Sequence, residues 1–332
     1  MTSLSKYLGI HAPMIAGYTT GQMEAWAKAF GATPDDTRGV AALFKRIDTP
    51  EYWKIGQAAP LTASNELFIS ECGYWMYQIY SQWMPFDTAT PLIQDNWTSD
   101  YNASLMTAAA DVAVKYPGRL MFANKANSNF VGTDAFYADL VGQIGRVWSN
   151  AGREWGYVDD EGGTAVLQHL PGLQSAWESY GCRPDVVAYH AYGLSDWGPQ
   201  HAKLMAAGVR SLLRHNPIIM HQEAHWFFLG FGNPRSSKPY LYETGAGEYC
   251  ADMCEANSDA GIETCLFTVD QFFELAGASL TDSGKALVSR ASGTSMGPGL
   301  DVPFRAGRLK SYALRNKYMS RGAATMLTLA LG

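Results

Sequence analysis

Short apolar runs alternate with longer segments of helical periodicity through the second half of the chain. Turn-forming residues such as Gly181 and Pro184 separate the two kinds of segment. Strands that alternate with helices in this way are typical of βαβ units and a parallel sheet. We therefore expect strands over residues 119–124, 155–159, 184–190, 217–223 and 263–269, and helices over residues 101–115, 134–149, 165–180, 199–214 and 243–257.

The first half of the chain has a less regular pattern. Its expected elements are a strand over residues 13–17, a helix over residues 21–30, a strand or helix over residues 39–46, and a third strand over either residues 66–70 or residues 76–80. Counting backwards from the second half makes the run at residue 119 the fourth strand of eight, and a helix over residues 307–327 would close the structure. The length favours a (β/α)₈ TIM barrel, as a single domain over residues 1–332, above an open doubly wound sheet.

The composition of the chain bears on its binding partners and on its cellular location. The chain of 332 residues carries a net charge of −6 without a basic stripe, so we expect neither a nucleic-acid nor a membrane partner. We find no signal peptide and no apolar stretch of about 18 residues. Location in the cytoplasm and release by lysis, as for phage-borne hydrolases, both remain open. Five cysteines, an odd number, favour buried thiols over a disulfide framework.

Polar and aromatic residues collect where the predicted strands end. In a (β/α)₈ barrel this is the face that carries the active site. The aromatic residues, 13% of the chain, suit the apolar faces of sugar rings but also fill cores. The candidate site residues are Asn124, Lys125 and Asn127 after the fourth strand, Asp159 after the fifth, His190 and Tyr192 after the sixth, and Glu223 and Trp226 after the seventh.

These strand ends resemble those of the retaining glycoside hydrolases of clan A. Residues 184–193, with the sequence PDVVAYHAYG, resemble the sixth strand of that clan, which often ends in His and Tyr. Residues 217–223, with the sequence PIIMHQE, resemble the seventh strand, whose terminal Glu is the nucleophile. The fourth strand of the clan ends in an Asn-Glu pair, and Asn124-Lys125 lies at the matching position. The resemblance implies a TIM barrel that hydrolyses O-glycosidic bonds of a carbohydrate substrate, with no cofactor and no metal.

The resemblance also assigns roles to individual residues. A retaining glycosidase needs two carboxyl groups about 5–5.5 Å apart, one as nucleophile and one as acid/base. Glu223 is the implied nucleophile, with a hydrogen bond from Tyr192 or Tyr189, and Asn124 is implied to bind the sugar 2-hydroxyl. The remaining expected sugar contacts are Asn127, Asp159, His190 and Trp226.

Position 125 departs from the clan pattern, because it holds Lys where the acid/base Glu belongs. A neighbouring Glu223 carboxylate would keep the ammonium of Lys125 charged, which makes it a poor acid. The chain is then a sugar-binding pseudoenzyme, or uses another carboxyl, or carries Lys in place of an ancestral or wild-type Glu through a single-base change. The intact Asn124 and Asn127 favour the third interpretation. The other carboxyl groups that could serve are Asp159, Asp160, Glu161 and Glu71.

A zinc-dependent hydrolase is the rival from another class. His221 and His225 are four residues apart, with Glu223 between them, and such a pair on one helix can bind zinc. In the usual motif, however, the Glu follows the first His directly. The preceding residues 217–220 also have the character of a strand, on which residues four apart are about 13 Å distant. The sequence therefore favours the glycosidase.

Overall fold

The main sheet of the protein is built from eight parallel strands. A computed structural model describes residues 8–11, 44–48, 75–79, 92–115, 119–125, 130–159, 166–192, 199–225, 244–267 and 280–291. Its strands are β1 (Leu8–His11), β2 (Phe44–Asp48), β3 (Trp75–Ile79), β4 (Leu92–Ile93), β5 (Arg119–Lys125), β6 (Phe130–Val131), β7 (Trp155–Asp159), β8 (Val186–Tyr192), β9 (Ile218–His225) and β10 (Ile262–Phe267). The order in the sheet is β2-β3-β5-β7-β8-β9-β10-β1, while β4 and β6 form a separate parallel pair.

Helices connect successive strands of this sheet. They are α1 (Ser99–Lys115), α2 (Asp134–Asn150), α3 (Val166–Ser179), α4 (Pro199–Leu212), α5 (Thr244–Asp259) and α6 (Asp282–Ala291). From β5 to β10, each strand is followed by a helix that returns the chain to the start of the next parallel strand, as βαβ units require. In the part of the chain that the structure describes, no helix is long and apolar enough to span a membrane.

Helix α2 shows how the sequence sets these connections. The side chain of Thr133 accepts a hydrogen bond from the backbone N–H of Phe136 and so caps the amino end of the helix. Buried residues at helical spacing, such as Leu140, Ile144 and Trp148, face the core. The helix is followed by Gly152, whose φ of 67° lies in the left-handed region that glycine adopts readily.

Strands β5, β7, β8 and β9 have buried side chains on both faces, which is why they read as apolar runs. One cluster contains strand residues only: Met121 of β5, Val158 of β7, Val186 and Ala188 of β8, and Met220 of β9, with Ile218 packed against them. Residues between these positions, such as Leu120, Tyr157 and Val187, pack with the helices in a second cluster. The sheet therefore has an interior face and a helix-facing face. Gly156 serves the interior face, because a Cβ at this position would lie 2.4 Å from the carbonyl oxygen of Val186.

A buried ion pair spans the sheet at the amino ends of its strands. Arg119, at the start of β5, is 1% exposed and bonds to Glu263 of β10 at 2.7 Å and to Glu154 at 2.8 Å. Three strands separate β5 from β10, which would place them about 19 Å apart in a flat sheet. The ion pair thus shows that the sheet is strongly curved. Cα atoms of β1 and β2, at the two ends of the strand order, also come within 8 Å of each other.

The parallel α/β architecture is confirmed, and the strands of the second half are confirmed within two residues at each end. In the first half, β3 decides for residues 76–80 over residues 66–70, and β2 makes the end of residues 39–46 a strand. The strand that pairs with β10 is β1, earlier than the expected first strand. The expected strand at residues 13–17 and the expected helices at residues 21–30 and 307–327 lie outside the described residues.

Removing one carboxylate from the buried ion pair should cost far more stability than removing one at the surface. We expect Glu263→Gln to lower the free energy of unfolding by about 3 kcal/mol, because it leaves the buried Arg119 charge under-compensated. Urea unfolding at neutral pH measures this. The matched control is Glu178→Gln, whose partner Arg214 has a side chain 76% exposed, and its cost should stay below about 1 kcal/mol. Equal losses in the two variants would contradict a stabilising role for the buried ion pair of Arg119 and Glu263.

Candidate functional site

A β-bulge in β9 decides where Glu223 lies. The pairing of β8 with β9 runs regularly as far as Tyr189 with His221, and then resumes as His190 with Glu223. The pairing with β10 shows the same shift, because Thr264 pairs with His221 while Leu266 pairs with Ala224. β9 therefore has one residue more than either neighbour over this stretch, and in the pairing with β8 that residue is Gln222. Bulges of this kind occur often beside active sites, where they redirect the residues that follow.

The polar pair at the bulge lies on the interior face of the sheet. His190 follows Ala188 on that face, and its Nε2 lies 3.0 Å from Oε1 of Gln222. Both residues are completely buried. Because the amide oxygen can only accept, Nε2 of His190 carries the proton and donates it. Polar side chains thus replace the apolar ones at the level of His190 and Gln222, towards the carboxyl ends of β8 and β9.

β5 contains a second irregularity, in front of the other predicted catalytic position. Phe122 pairs with Tyr157 of β7, whereas Lys125 pairs with Asp159, so β5 has one residue more than β7 over this stretch. Ala123 within it has a φ of 59°, a conformation that non-glycine residues seldom adopt. In a regular strand Ala123 would share the interior face with Met121, but it packs on the helix-facing side. Asn124 and Lys125 are then the last two residues of the strand.

Asp159 is held on the helix-facing side of β7. It is completely buried, and Oδ2 lies 2.7 Å from Nδ1 of His169 on α3. His169 and Asp134 also line a groove of about 340 Å³ between α2 and α3, outside the sheet interior. Burial raises the pKa of the neighbouring Tyr157, and the charge of Asp159 raises it further, so that phenol stays protonated.

His221 belongs to a buried network that links three strands and a helix. Nε2 donates to the carbonyl of Ala191 at 2.8 Å, and Nδ1 lies 3.1 Å from Nδ2 of Asn257, which also donates to Thr264. The ring stacks on Tyr189 with a centroid distance of 4.9 Å. Burial lowers the pKa of His221 to about 3, so the ring is neutral with both nitrogens bonded.

This network argues against the zinc hypothesis. A metal ligand needs an imidazole nitrogen with a lone pair directed at the metal, and the bonds of His221 use both nitrogens. His221 and His225 also lie on a strand rather than on one helix. In the described part of the chain, no group of three or more His, Cys, Asp and Glu side chains is placed to hold a metal ion.

The remaining sequence hypotheses have different outcomes. The suggestion that Tyr189 hydrogen-bonds Glu223 is wrong, because the Tyr189 ring stacks on His221 and its buried hydroxyl has no hydrogen-bond partner in the described structure. Tyr192 is the last residue of β8 and pairs with His225. Residues outside the described ranges are Asn127 and Trp226, together with the alternative acids Asp160, Glu161 and Glu71.

Sequence reasoning missed Gln222, His169 and the two bulges. Gln222 stands between two motif residues in an apolar run, and nothing in its identity signals an extra residue. The identity of Ala123 does not indicate the irregularity in β5 either, because alanine seldom adopts a positive φ. The one available signal for His169 was its place in the amphipathic segment directly after the strand that ends in Asp159.

The comparisons with known proteins concern the fold. No protein-family model and no curated protein matches the chain. The chain is similar to a monomeric β-xylosidase from Caulobacter crescentus, with a TM-score of 0.57 and 10% identity over 86% of this chain and 67% of that one. It is also similar to a glucosidase from Croceicoccus marinus, with a TM-score of 0.56 and 13% identity over 87% and 68%.

A weaker similarity is to a GH128 (subgroup I) endo-β-1,3-glucanase from Amycolatopsis mediterranei in complex with laminaritriose. Its TM-score is 0.46, with 15% identity over 86% of this chain and 99% of that one. This match is too distant to support an argument. The similarity to the β-xylosidase and the glucosidase shows only a shared fold, because the sequence identities are so low. The chain thus shares its parallel α/β fold with solved glycosidases.

The neutrality of His221 predicts a specific loss of stability in acid. Below pH 6.5 the unfolded histidine takes up a proton, whereas the folded one does so only near pH 3, so the free energy of unfolding falls as the pH falls between these values. At pH 5 this loss is about 2 kcal/mol. We expect the difference in unfolding free energy between pH 7 and pH 5 to be smaller by about that amount in His221→Asn.

Urea unfolding of both proteins at the two pH values measures the effect. The control is His215→Asn, which replaces a half-buried histidine whose pKa burial also lowers. It should remove a smaller part of the pH dependence. An unchanged pH dependence in His221→Asn would show that folding does not lower the pKa of His221 and would contradict the prediction.

Proposed function

We propose that this chain has the site of a retaining glycoside hydrolase, with Glu223 as the nucleophile and position 125 as the acid/base position. The observation that carries the proposal is the pairing of Glu223 with His190 beyond the β9 bulge. Paired residues on neighbouring strands share a face of the sheet. His190 faces the interior near the carboxyl end of its strand, which is where TIM-barrel enzymes place their catalytic residues.

We further propose that the sheet closes into a (β/α)₈ barrel and that residues 1–332 form one domain. The strand order follows the chain from β2 to β10 and then joins β1, as a closed eight-stranded barrel requires. The ion pair between Arg119 and Glu263 and the proximity of β1 to β2 support the closure. The fold shared with a β-xylosidase and a glucosidase supports a carbohydrate substrate.

Lys125 makes the native chain a poor catalyst for ordinary glycosides. The β5 irregularity sets Lys125 level with Asp159, at the end of both strands. The pairing supports position 223 but not position 125, because Lys125 pairs with Asp159, whose side chain is directed towards α3. The same contact disfavours Asp159 as a replacement acid. Position 125 rests on the resemblance of the strand end to the clan A pattern. We therefore retain the interpretation that Lys125 stands where an active relative has Glu.

The second candidate function is sugar binding without hydrolysis. A charged Lys125 next to Glu223 would form an ion pair, leaving a polar cleft that recognises sugar without protonating the leaving group. Contacts with sugar stay predictions in both cases. The residues concerned are Asn124, Asn127, His190, Tyr192 and Trp226, whereas the burial of Asp159 against His169 disfavours the sugar contact that the sequence predicted for it.

Restoring a carboxylate at position 125 tests the two functions. We expect Lys125→Glu to raise kcat/KM by roughly 10²–10⁴-fold on glycosides with poor leaving groups, which need protonation of the departing oxygen. Dinitrophenyl glycosides, which leave without protonation, should gain much less. The panel includes aryl xylosides and glucosides and a set of polysaccharides, and initial rates at pH 6 give the comparison.

Glu223→Gln in the Lys125→Glu background is the control and should abolish turnover. If the Lys125→Glu protein binds sugars without cleaving any of them, the chain is a binding protein. Equal activity of the native and Lys125→Glu proteins on poor leaving groups would place the acid elsewhere in the chain.

A further inference from the structure

We propose that Gln222 is a positioning residue for Glu223, holding the β9 bulge in place through its hydrogen bond to His190. The inference rests on the proposed role of Glu223 as nucleophile. Gln222 is not assigned to contact substrate. Its role follows from three features of the structure: the interrupted ladder, the buried side-chain bond that crosses it, and the fixed orientation of His221.

The bulge interrupts the backbone ladder between β8 and β9. A bulge sets two residues of one strand against one residue of its neighbour, so the regular ladder is locally disrupted. In this ladder the interruption falls between the Tyr189–His221 pair and the His190–Glu223 pair. The residue that immediately follows the interruption is the proposed nucleophile, so any displacement of the backbone at the bulge also displaces Glu223.

The side chain of Gln222 joins the same two strands at the interruption. Oε1 accepts a hydrogen bond from Nε2 of His190 at 3.0 Å, in a site from which water is excluded. Breaking a buried hydrogen bond leaves polar groups without water to replace the lost partner, so the bond is strongly favoured over its absence. It thus replaces part of the cross-link that the bulge removes from the backbone.

His221 fixes the other side of the bulge. Its bonds to Ala191 and Asn257 and its stacking on Tyr189 hold it on the helix-facing side. In a regular strand, Gln222 would then face the interior and Glu223 would face the helices. The bulge lets Gln222 and Glu223 follow each other at the interior level of His190. A bond from Gln222 to His190 keeps the extra residue at this point of β9.

Covalent labelling of Glu223 tests the inference without help from position 125. In a 2,4-dinitrophenyl 2-deoxy-2-fluoroglycoside, the Glu223 carboxylate forms an ester bond to C1 while the C1–O bond breaks and dinitrophenolate leaves. No proton is needed by this leaving group. A panel of such reagents with different sugars is incubated with the native chain, and intact mass and peptide mapping identify the labelled residue.

Gln222→Met removes the hydrogen bond while keeping the length of the side chain. We expect the maximal labelling rate to fall at least tenfold, because small displacements of a reacting group have large effects on rate. The half-saturating reagent concentration should change less than twofold. Met220→Leu, an interior substitution two residues earlier on β9, is the matched control and should alter neither value.

A second measurement does not depend on the sugar. The ¹³C-carboxyl resonance of Glu223, identified by its loss in Glu223→Gln, should shift in Gln222→Met and stay in place in Met220→Leu. Gln222→Asn, which shortens the side chain by one methylene, should shift the same resonance and serves if the Met variant does not fold.

The outcomes separate the two proposals. Labelling at the native rate in Gln222→Met, with an unmoved Glu223 resonance, would overturn the positioning role and leave the nucleophile intact. Failure of every reagent to label the native chain at Glu223 would overturn the glycosidase proposal, and the resonance alone would then decide whether Gln222 positions Glu223.

Discussion

The central constraint on this structure is that the strands β5, β7, β8 and β9 are covered on both faces. Every residue of β5, β7, β8 and β9 must commit either to the interior or to the layer beneath the helices, because side chains alternate along a strand. Apolar residues satisfy either environment. A polar residue must find its partner on the side that it faces. The two bulges are the places where the chain changes that assignment.

The two ends of the sheet use buried polar groups differently. At the amino ends, Arg119 joins strands that are not neighbours and fixes the curvature of the sheet with a strong but static interaction. At the carboxyl ends, His190 and Gln222 form an uncharged pair within the interior. This division agrees with the general behaviour of barrels, in which the amino-end face contributes stability and the carboxyl-end face carries the chemistry. Met121, Val158 and Met220 separate the two polar layers.

The fold was predictable where the segments were long. Helix α2 was expected over residues 134–149 and runs over Asp134–Asn150, because a buried stripe at helical spacing and a Thr cap both mark it. The strand β1 at Leu8–His11 was not expected, because four residues, two of them apolar, carry too little pattern. The expected strand at residues 13–17 also began with a proline, which cannot donate to a ladder.

The positions of the site residues along the chain were predictable, but the face of the sheet on which each side chain lies was not. His190 and Glu223 were both selected by their place at strand ends, and the register brings them level. Asp159 was selected by the same rule, yet it bonds to His169 behind the sheet. A strand buried on both faces shows no alternation of polar and apolar residues, so the sequence contains no information on which way Asp159 turns. A bulge also breaks the regular alternation of faces, so the face of one residue no longer predicts the face of the next.

The bulge in β9 also governs how this chain can be compared with other parallel α/β proteins and rebuilt. An alignment that matches β9 residue by residue to a regular strand goes out of phase by one position after His221, and then Glu223 no longer aligns with the residue that pairs at the level of His190. A gap placed at Gln222 restores the correspondence. For the same reason, a graft of this strand into another parallel sheet must include β8 as well, since a bulge has a defined place only with respect to its neighbour.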